Sequence, residues 1–230
     1  NRVRLRVTID HPRLWWPAGH GAQAIYDLEM KVGDQARQMR IGLRQIALLT
    51  DADAVGHRFA FRVNGREIFM RGANWIPADA LPARATPKAV ADLLDSAVAA
   101  HMNMLRVWGG GSYEPDWFYQ MCSERGLLVW QDFMFACNLY PAADRAWLDD
   151  VRAEARQQIR RLSAHPCLAL WCGDNELVGA LGWFDESKAD RDRYLAMYDR
   201  LNHALEEAIQ DEAPDVPWWP SSPSAGPLNF

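Results

Sequence analysis

Residues 103–137, NMLRVWGGGSYEPDWFYQMCSERGLLVWQDFMFAC, contain the pattern that decides the fold. An apolar run at 103–108 predicts a buried strand, the segment 114–125 predicts a helix, and the run at 127–133 predicts a second buried strand. Gly126 stands just after the helix, where a left-handed residue commonly ends one. The stretch therefore predicts a strand–helix–strand unit with parallel strands.

The same alternation of apolar strands and amphipathic helices extends on both sides of this unit. Thr86 is expected to be the N-cap of the helix that precedes this unit, with Pro87 at the first helical position. The further elements predicted are strands at 67–75, 167–172 and 216–220 and helices beginning at 87 and spanning 144–164 and 187–211. Repeated alternation of buried strands with helices predicts a parallel sheet covered by helices.

A parallel sheet of this kind is either doubly wound or closed into an eightfold barrel. No G-x-G-x-x-G pattern follows the first strand, and the glycines at 109–111 precede Ser112 and Tyr113 instead. Polar and aromatic residues recur at four successive strand ends, and they are Asn74, Trp75, Arg106, Trp108, Asp132, Asn175 and Glu176. Barrel enzymes collect their chemistry at the carboxyl ends of strands. We therefore predict an α/β fold with a partial (β/α)₈ TIM barrel.

The first 63 residues carry a different pattern, typical of antiparallel β structure. Strands are predicted at 2–10, 24–32, 36–50 and 58–63. Asn64-Gly65 is a two-residue hairpin signal. We predict that residues 1–63 form the C-terminal part of an immunoglobulin-like β-sandwich and that 64–230 form the N-terminal part of the barrel, with strands one to four or five.

Composition excludes several classes of function. The chain has 230 residues, 49% of them hydrophobic, and a net charge of −5 without a basic run, so nucleic acid is not an expected partner. No apolar stretch approaches the roughly 20 residues of a membrane helix. The four cysteines lack metal-binding spacing and are predicted to be buried free thiols, so neither a metal nor a cofactor is expected. The compartment stays open between cytoplasm and periplasm for a bacterial protein.

Glu176 and Arg106 are placed where chemistry is expected. Glu176 follows an apolar strand and can act as a proton donor, or it can be a helix N-terminal glutamate stabilised by the helix dipole. Arg106 lies within an apolar strand and needs a carboxylate partner, which leaves a binding role and a structural ion pair open. Asp132 can bond hydroxyl groups of a ligand or cap the next segment, and Trp183 can line a pocket or the core.

Several long segments resemble the β-mannosidases of glycoside hydrolase family two. They are FRVNGREIFMRGANWIPAD at 61–79, the stretch at 103–137 quoted above, and HPCLALWCGDNE at 165–176. LWWPAGHG at 14–21 and IGLR at 41–44 resemble the immunoglobulin-like domain that precedes the barrel in that family. The motifs are long and keep the family's order, and the resemblance covers nearly the whole chain.

The resemblance implies a retaining hydrolase that releases terminal non-reducing β-D-mannose from an oligosaccharide or glycoconjugate. It implies that Glu176 is the general acid/base, that Asn175 contacts the sugar near its 2-hydroxyl, and that Arg106 supports the nucleophile carboxylate. It also implies that Trp108 lines the glycone site. Asp132 and Trp183 are carried over as further substrate contacts on weaker grounds.

The sequence departs from the family pattern in two respects. It reads Gly-Asp174-Asn175-Glu176 where the family usually reads Gly-Asn-Asn-Glu, so the Asn-Glu pair is intact. Retaining hydrolysis needs a second carboxyl group roughly 5–5.5 Å from the first. In the family that nucleophile follows strand seven, so it is expected beyond Phe230, in the part of the polypeptide that completes the barrel. Because it lacks the nucleophile and because a half-barrel has open sheet edges, the chain alone is expected to be inactive and poorly stable.

Two alternatives to a β-mannosidase remain at this stage. One is another exo-glycosidase of the same family, such as a glucosaminidase, glucuronidase or galactosidase. The other is a non-catalytic carbohydrate-binding relative, although such a protein is expected to lack the acid/base that Glu176 supplies.

Overall fold

The computed structural model describes residues 6–226, which form ten β-strands and six α-helices. The strands are β1 (Tyr26–Val32), β2 (Gln35–Ile41), β3 (Ile46–Leu49), β4 (Ala60–Val63), β5 (Arg66–Ile68), β6 (Gly72–Trp75), β7 (Met104–Val107), β8 (Leu128–Asp132), β9 (Leu168–Cys172) and β10 (Trp218–Trp219). The helices are α1 (Pro87–Ala99), α2 (Asp116–Arg125), α3 (Arg145–Leu162), α4 (Leu177–Ala180), α5 (Asp185–Ala189) and α6 (Arg191–Glu212).

Strands β6 to β10 form one parallel sheet, and their order across the sheet is their order along the chain. A doubly wound sheet reverses its strand order at a switch point, whereas a barrel adds each new strand beside the previous one. The uninterrupted order therefore selects the barrel. The prediction of an α/β fold with a partial (β/α)₈ barrel is confirmed.

The barrel strands bury side chains on both faces, which explains their continuous apolar sequences. Leu105 and Val107 of β7 belong to the larger core, between the sheet and the helices. Met104 belongs to a second core together with Leu128 of β8, on the inner face of the sheet. Arg106 lies two residues after Met104 and so shares the inner face, nearer the carboxyl ends of the strands.

An antiparallel sheet of β3, β4 and β5 packs against the amino ends of the barrel strands. Its residues Phe61 and Ile68 share the inner core with Met104, the first residue of β7. The Phe59 ring centroid lies 5.7 Å from that of Trp130. Further aromatic rings also contact Phe59. The small sheet therefore fills the end of the barrel opposite the carboxyl ends of the strands.

The hairpin predicted at Asn64-Gly65 is present between β4 and β5. Asn64 has φ 49° and Gly65 has φ 80°, the pair of positive angles that a two-residue type I′ turn requires. Because β5 lies after this turn, the antiparallel sheet crosses the predicted domain boundary at residue 63. The division into residues 1–63 and 64–230 remains a proposal.

Three predicted elements are divided in the structure. The strand expected at 36–50 ends at Ile41, since Arg44 turns away to donate hydrogen bonds to the carbonyls of Pro166 and Leu168. The strand expected at 67–75 becomes β5 and β6. Between them, the Asn103 side chain donates a hydrogen bond to Phe69 O and accepts one from the Arg71 N–H. The helix expected at 187–211 becomes α5 and α6.

The strand predicted at 2–10 falls partly on residues 1–5, which lie outside the described residues. Residues 6–10 are described and carry no strand assignment. Their alternating side chains are exposed, and Val7 is 74% accessible to solvent, so no sheet partner covers them within residues 6–226. The strand prediction is wrong for this half of the segment.

The predicted helix ends are confirmed. Thr86 Oγ1 accepts a hydrogen bond from the backbone N–H of Ala89 at 3.2 Å, which caps α1. Gly126 has φ 73° and ends α2 in the left-handed conformation.

Within residues 6–226, no helix has both the length and the apolar character needed to cross a bilayer.

Candidate active site

Arg106 is the centre of a polar cluster at the carboxyl ends of the barrel strands. Its guanidinium donates to both carboxylate oxygens of Asp132, with Nε–Oδ1 3.2 Å and Nη2–Oδ2 2.8 Å. The same Nη2 donates to Asn175 Oδ1 at 2.8 Å, and Nη1 donates to Asn74 Oδ1 at 3.3 Å. Four neighbouring strand ends are thereby tied together, and the carboxylate partner that the sequence required for Arg106 is Asp132.

Asp132 is completely buried and is surrounded by donors. Besides Arg106, the backbone N–H of Gly109 donates to Oδ2 at 3.0 Å and the indole of Trp130 donates to Oδ1 at 3.0 Å. Burial raises the pKa of Asp132, and the Arg106 charge together with these hydrogen bonds acts in the opposite direction. Because Arg106, Gly109 and Trp130 all donate to the carboxyl group, the arrangement suits an ionised carboxylate. Asp132 thus orients Arg106 and leaves little room for direct contact with a ligand.

Asn175 and Glu176 follow β9 at the same edge of the sheet. Asn175 pairs in parallel with Ala136, after β8, and with Ser222, after β10. The Glu176 backbone N–H donates to Ser222 O at 3.1 Å. These contacts extend the sheet by one step and fix the backbone of the Asn-Glu pair between its two neighbouring loops.

Glu176 itself has a left-handed backbone, with φ 61° and ψ 23°. That conformation costs a non-glycine residue roughly 1–2 kcal/mol. Strained residues of this kind persist where the surrounding structure over-determines them, often at functional sites. Here the strain turns the chain sharply from β9 into α4.

The Glu176 side chain lines a cavity of about 460 Å³ with Trp183. The rest of the wall is formed by Val178 and Gly179 of α4 and by Ser221, Pro223 and Ser224 after β10. Trp183 is 55% exposed, so its ring is available to a molecule entering from solvent. Glu176 and Trp183, both singled out from the sequence, therefore share one cavity.

Trp108 follows β7 at the same rim. Its backbone N–H donates to Trp75 O at 3.1 Å, and its ring covers Gly110 so closely that a Cβ there would lie 2.1 Å from the ring. Trp108 is partly buried. Trp108 thus contacts its own loop and Trp75, and its role towards a sugar remains a proposal.

Comparison with known proteins identifies the family. No family model matches the chain. A curated β-mannosidase from Capra hircus is 43% identical over 85% of this chain and 24% of its own length. One from Rattus norvegicus is 40% identical over 98% of this chain and 26% of its own length. A crystal structure of a β-D-mannosidase from Dictyoglomus thermophilum has a TM-score of 0.84 and 40% identity, over 94% of this chain and 27% of that one.

The chain belongs to the β-mannosidase family. It spans about a quarter of the length of the curated relatives it matches. An exo-chitosanase structure from Amycolatopsis orientalis has a TM-score of 0.71 at 21% identity, over 93% of this chain and 24% of that one. At that identity the similarity shows a shared fold alone.

Asp174, which directly precedes the Asn175-Glu176 pair, is completely buried beside the site. Its Oδ1 accepts hydrogen bonds from Ser221 Oγ at 2.5 Å and from the Leu177 N–H at 3.1 Å, and its Oδ2 accepts one from Asn202 Nδ2 at 3.3 Å. Burial raises the pKa of Asp174 to about 6, against the effect of these hydrogen bonds. Asp174 therefore joins β9 to α4, to α6 and to the segment after β10.

Cys137 is the residue at this rim that the sequence did not reveal. The prediction of buried free thiols holds for Cys122, Cys167 and Cys172, but Cys137 is only partly buried and its Sγ lies 3.6 Å from Glu176 Oε2. No spacing or periodicity relates Cys137 to Glu176, because their contact arises from the parallel pairing of Ala136 with Asn175. The prediction is corrected for this one cysteine.

Proposed function

We propose that the protein containing this chain is a retaining exo-glycosidase that releases terminal β-D-mannose from non-reducing ends, with Glu176 as general acid/base. The observation that carries the proposal is the placement of the Asn175-Glu176 pair. It stands at the carboxyl end of β9, beside the Arg106–Asp132 ion pair, in a chain that belongs to the β-mannosidase family. In barrel enzymes this rim is where the active site lies.

Asn175 is oriented for binding a hydroxyl group. Since Arg106 has only donors, its contact with Asn175 requires the amide oxygen on that side and places Nδ2 on the other. Nδ2 carries two protons, and one of them is directed to Cys137 Sγ at 3.3 Å. The second can donate to a sugar hydroxyl next to the reacting carbon.

Glu176 performs two proton transfers in the proposed mechanism. As an acid it donates a proton to the glycosidic oxygen while a second carboxylate attacks the anomeric carbon and forms a glycosyl ester. As a base it then takes a proton from the water that cleaves this ester, so that the product keeps the β configuration. The nucleophile belongs to a part of the protein beyond residues 6–226, and no residue of this chain is assigned to it.

The remaining candidates bind or orient the substrate. Arg106 and Asp132 hold Asn175 and the strand ends, and Arg106 also supports the nucleophile once the barrel is complete. Trp108 provides an apolar wall on the glycone side. Trp183, which shares the cavity with Glu176, offers a face for the leaving group. The substrate is a β-mannoside, as an oligosaccharide or a glycoconjugate.

The test compares nitrophenyl glycosides as substrates of the full-length protein. We expect the highest kcat/KM with the β-D-mannoside, and NMR of the first product should show β-mannose before mutarotation. Equal or faster release of glucosamine, glucuronic acid or galactose would reject mannose in favour of another exo-glycosidase. No turnover of any of these sugars would favour a carbohydrate-binding relative.

A second experiment tests the role of Glu176. Glu176→Ala should lower turnover of a β-mannoside with a poor leaving group by about 10²–10⁴-fold, the usual contribution of general acid catalysis. Turnover of a dinitrophenyl β-mannoside should fall much less in its first step, because that leaving group needs no proton. Asp185→Ala, at the exposed start of α5, is the matched control. If Glu176→Ala and the control behave alike with both substrates, the role is rejected.

A further inference from the structure

We propose that Cys137 is a positioning residue for the acid/base, acting through hydrogen bonds to both members of the Asn175-Glu176 pair. This inference deepens the proposed function and rests on it for the catalytic consequence. Cys137 lies in the loop after β8, five residues beyond Asp132. Its Sγ is 3.3 Å from Asn175 Nδ2 and 3.6 Å from Glu176 Oε2.

The direction of these hydrogen bonds follows from Arg106. The guanidinium holds Asn175 Oδ1 at 2.8 Å, so Asn175 presents Nδ2 to Cys137 and the sulfur atom accepts. The thiol proton is then free to point elsewhere. A chain of hydrogen bonds thus runs from Arg106 through Asn175 and Cys137 to the carboxylate of Glu176.

Two acceptors compete for the thiol proton. Asn175 O lies 3.8 Å from Sγ, and it already accepts the Cys137 backbone N–H at 3.0 Å. Glu176 Oε2 is nearer at 3.6 Å, and its carboxyl group accepts no other hydrogen bond from residues 6–226. The thiol therefore donates to Glu176, and this contact restrains the rotation of the carboxyl group.

The backbone of the loop supports the same arrangement. Cys137 has φ 48° and Glu176 has φ 61°, so two residues other than glycine adopt the left-handed conformation on opposite sides of one contact. The parallel pairing of Ala136 with Asn175 holds the two segments together. Residues in this conformation persist where the surrounding structure over-determines them, and such positions are often functional.

Cys137 stays protonated in this setting, which a hydrogen-bond donor must do. Burial raises the pKa of the Cys137 thiol, the hydrogen bond from Asn175 lowers it, and the charge of Glu176 raises it again. The thiol is therefore a poor nucleophile here, and a donor role fits better than a covalent one.

The first test measures catalysis in the full-length protein with Cys137→Ala, which removes the donor without adding a branched side chain at this positive φ, and with Cys137→Ser, which keeps a donor. Cys137→Ala should lower kcat for a β-mannoside with a poor leaving group by about tenfold, a fraction of what general acid catalysis contributes. The first step with the dinitrophenyl β-mannoside, measured as kcat/KM, should lose less than about twofold because that leaving group needs no proton, and Cys137→Ser should recover part of the loss with the poor leaving group. A loss that is equal for both leaving groups would assign Cys137 a merely structural role and overturn the proposal.

The second test needs no substrate and measures alkylation of Cys137 by iodoacetamide, followed at the Cys137 peptide by mass spectrometry. Cys122, Cys167 and Cys172 are fully buried and should react far more slowly. Glu176→Gln removes the neighbouring charge, so the alkylation rate near pH 8 should rise about threefold or more, because thiolate is the reactive form. Glu186→Gln, on α5, is the control and should leave the rate unchanged.

The two tests separate the inference from the proposed function. A rate of alkylation that does not respond to Glu176→Gln overturns the contact, whatever the substrate is. If alkylation responds but the wild-type protein releases no mannose, the Cys137–Glu176 contact stands and the proposed function fails. If the wild-type protein releases mannose and Cys137→Ala matches it with both leaving groups, only the positioning role fails.

Discussion

Replacing Asp174 by asparagine is expected to stabilise the protein above about pH 6. The carboxyl group is completely buried, and its pKa is raised to about 6 from an ordinary value of 3.8. The folded protein therefore holds a proton that the unfolded chain has already released. The stability gained from that proton is complete below about pH 3.8 and is lost as the pH rises through about 6.

The magnitude follows from the two pKa values. Their difference of about 2 units corresponds to about 3 kcal/mol, at 1.36 kcal/mol per unit. Asp174→Asn is always neutral and avoids this cost at pH 7. The new amide can keep the hydrogen bonds from Ser221 and Leu177 on its oxygen. Its nitrogen can donate to Asn202 Oδ1, which is buried and has no hydrogen-bond partner among the described residues, once the Asn202 amide turns over.

The assay is urea unfolding of the full-length protein, followed by tryptophan fluorescence between about pH 4 and about pH 8. The quantity of interest is the difference in unfolding free energy between Asp174→Asn and wild type at each pH, since titration of other groups cancels in it. The difference should grow from near zero at the acid end to a plateau of about 3 kcal/mol above pH 6. Asp149→Asn, on the exposed face of α3, is the control and should give a small, flat difference. A flat profile for Asp174→Asn as well would refute the reasoning.

Further substitutions test the ion pair and two glycines. Arg106→Met should lower the unfolding free energy by about 3–5 kcal/mol, because it leaves Asp132 buried without its counter-charge, and urea titration measures this loss. Gly126→Ala should cost about 2 kcal/mol or more in the same titration, since φ is 73° and the new Cβ would lie 2.5 Å from a backbone nitrogen; a neutral effect would contradict it. Gly110→Ala should displace the Trp108 ring and raise KM for the β-mannoside more than it lowers kcat; an unchanged KM would remove Trp108 from the glycone site.

The sequence alone predicted most of the elements that position the site. Thr86 and Gly126 marked helix ends correctly because capping and left-handed termination are local preferences of those residues. Asn64-Gly65 marked its hairpin for the same reason. The predictions failed where a distant side chain decides, as at Asn103, whose amide divides one expected strand into β5 and β6.

The candidate site divides in the same way. Arg106, Asp132, Asn175 and Glu176 were recognisable because polar residues at the ends of apolar strands break the pattern. That Arg106 and Asp132 form a bidentate pair, and that Cys137 meets Glu176, could not be predicted, because these contacts join residues on different strands.

By itself, then, the sequence determined the strand and helix periodicity, the turn and cap residues, and which residue types stand at the strand ends. The tertiary structure alone decided which of those ends are neighbours, since that depends on strand order and register. Short-range preferences are encoded within a few residues, whereas a hydrogen bond between Cys137 and Glu176 exists only once β8 and β9 are paired.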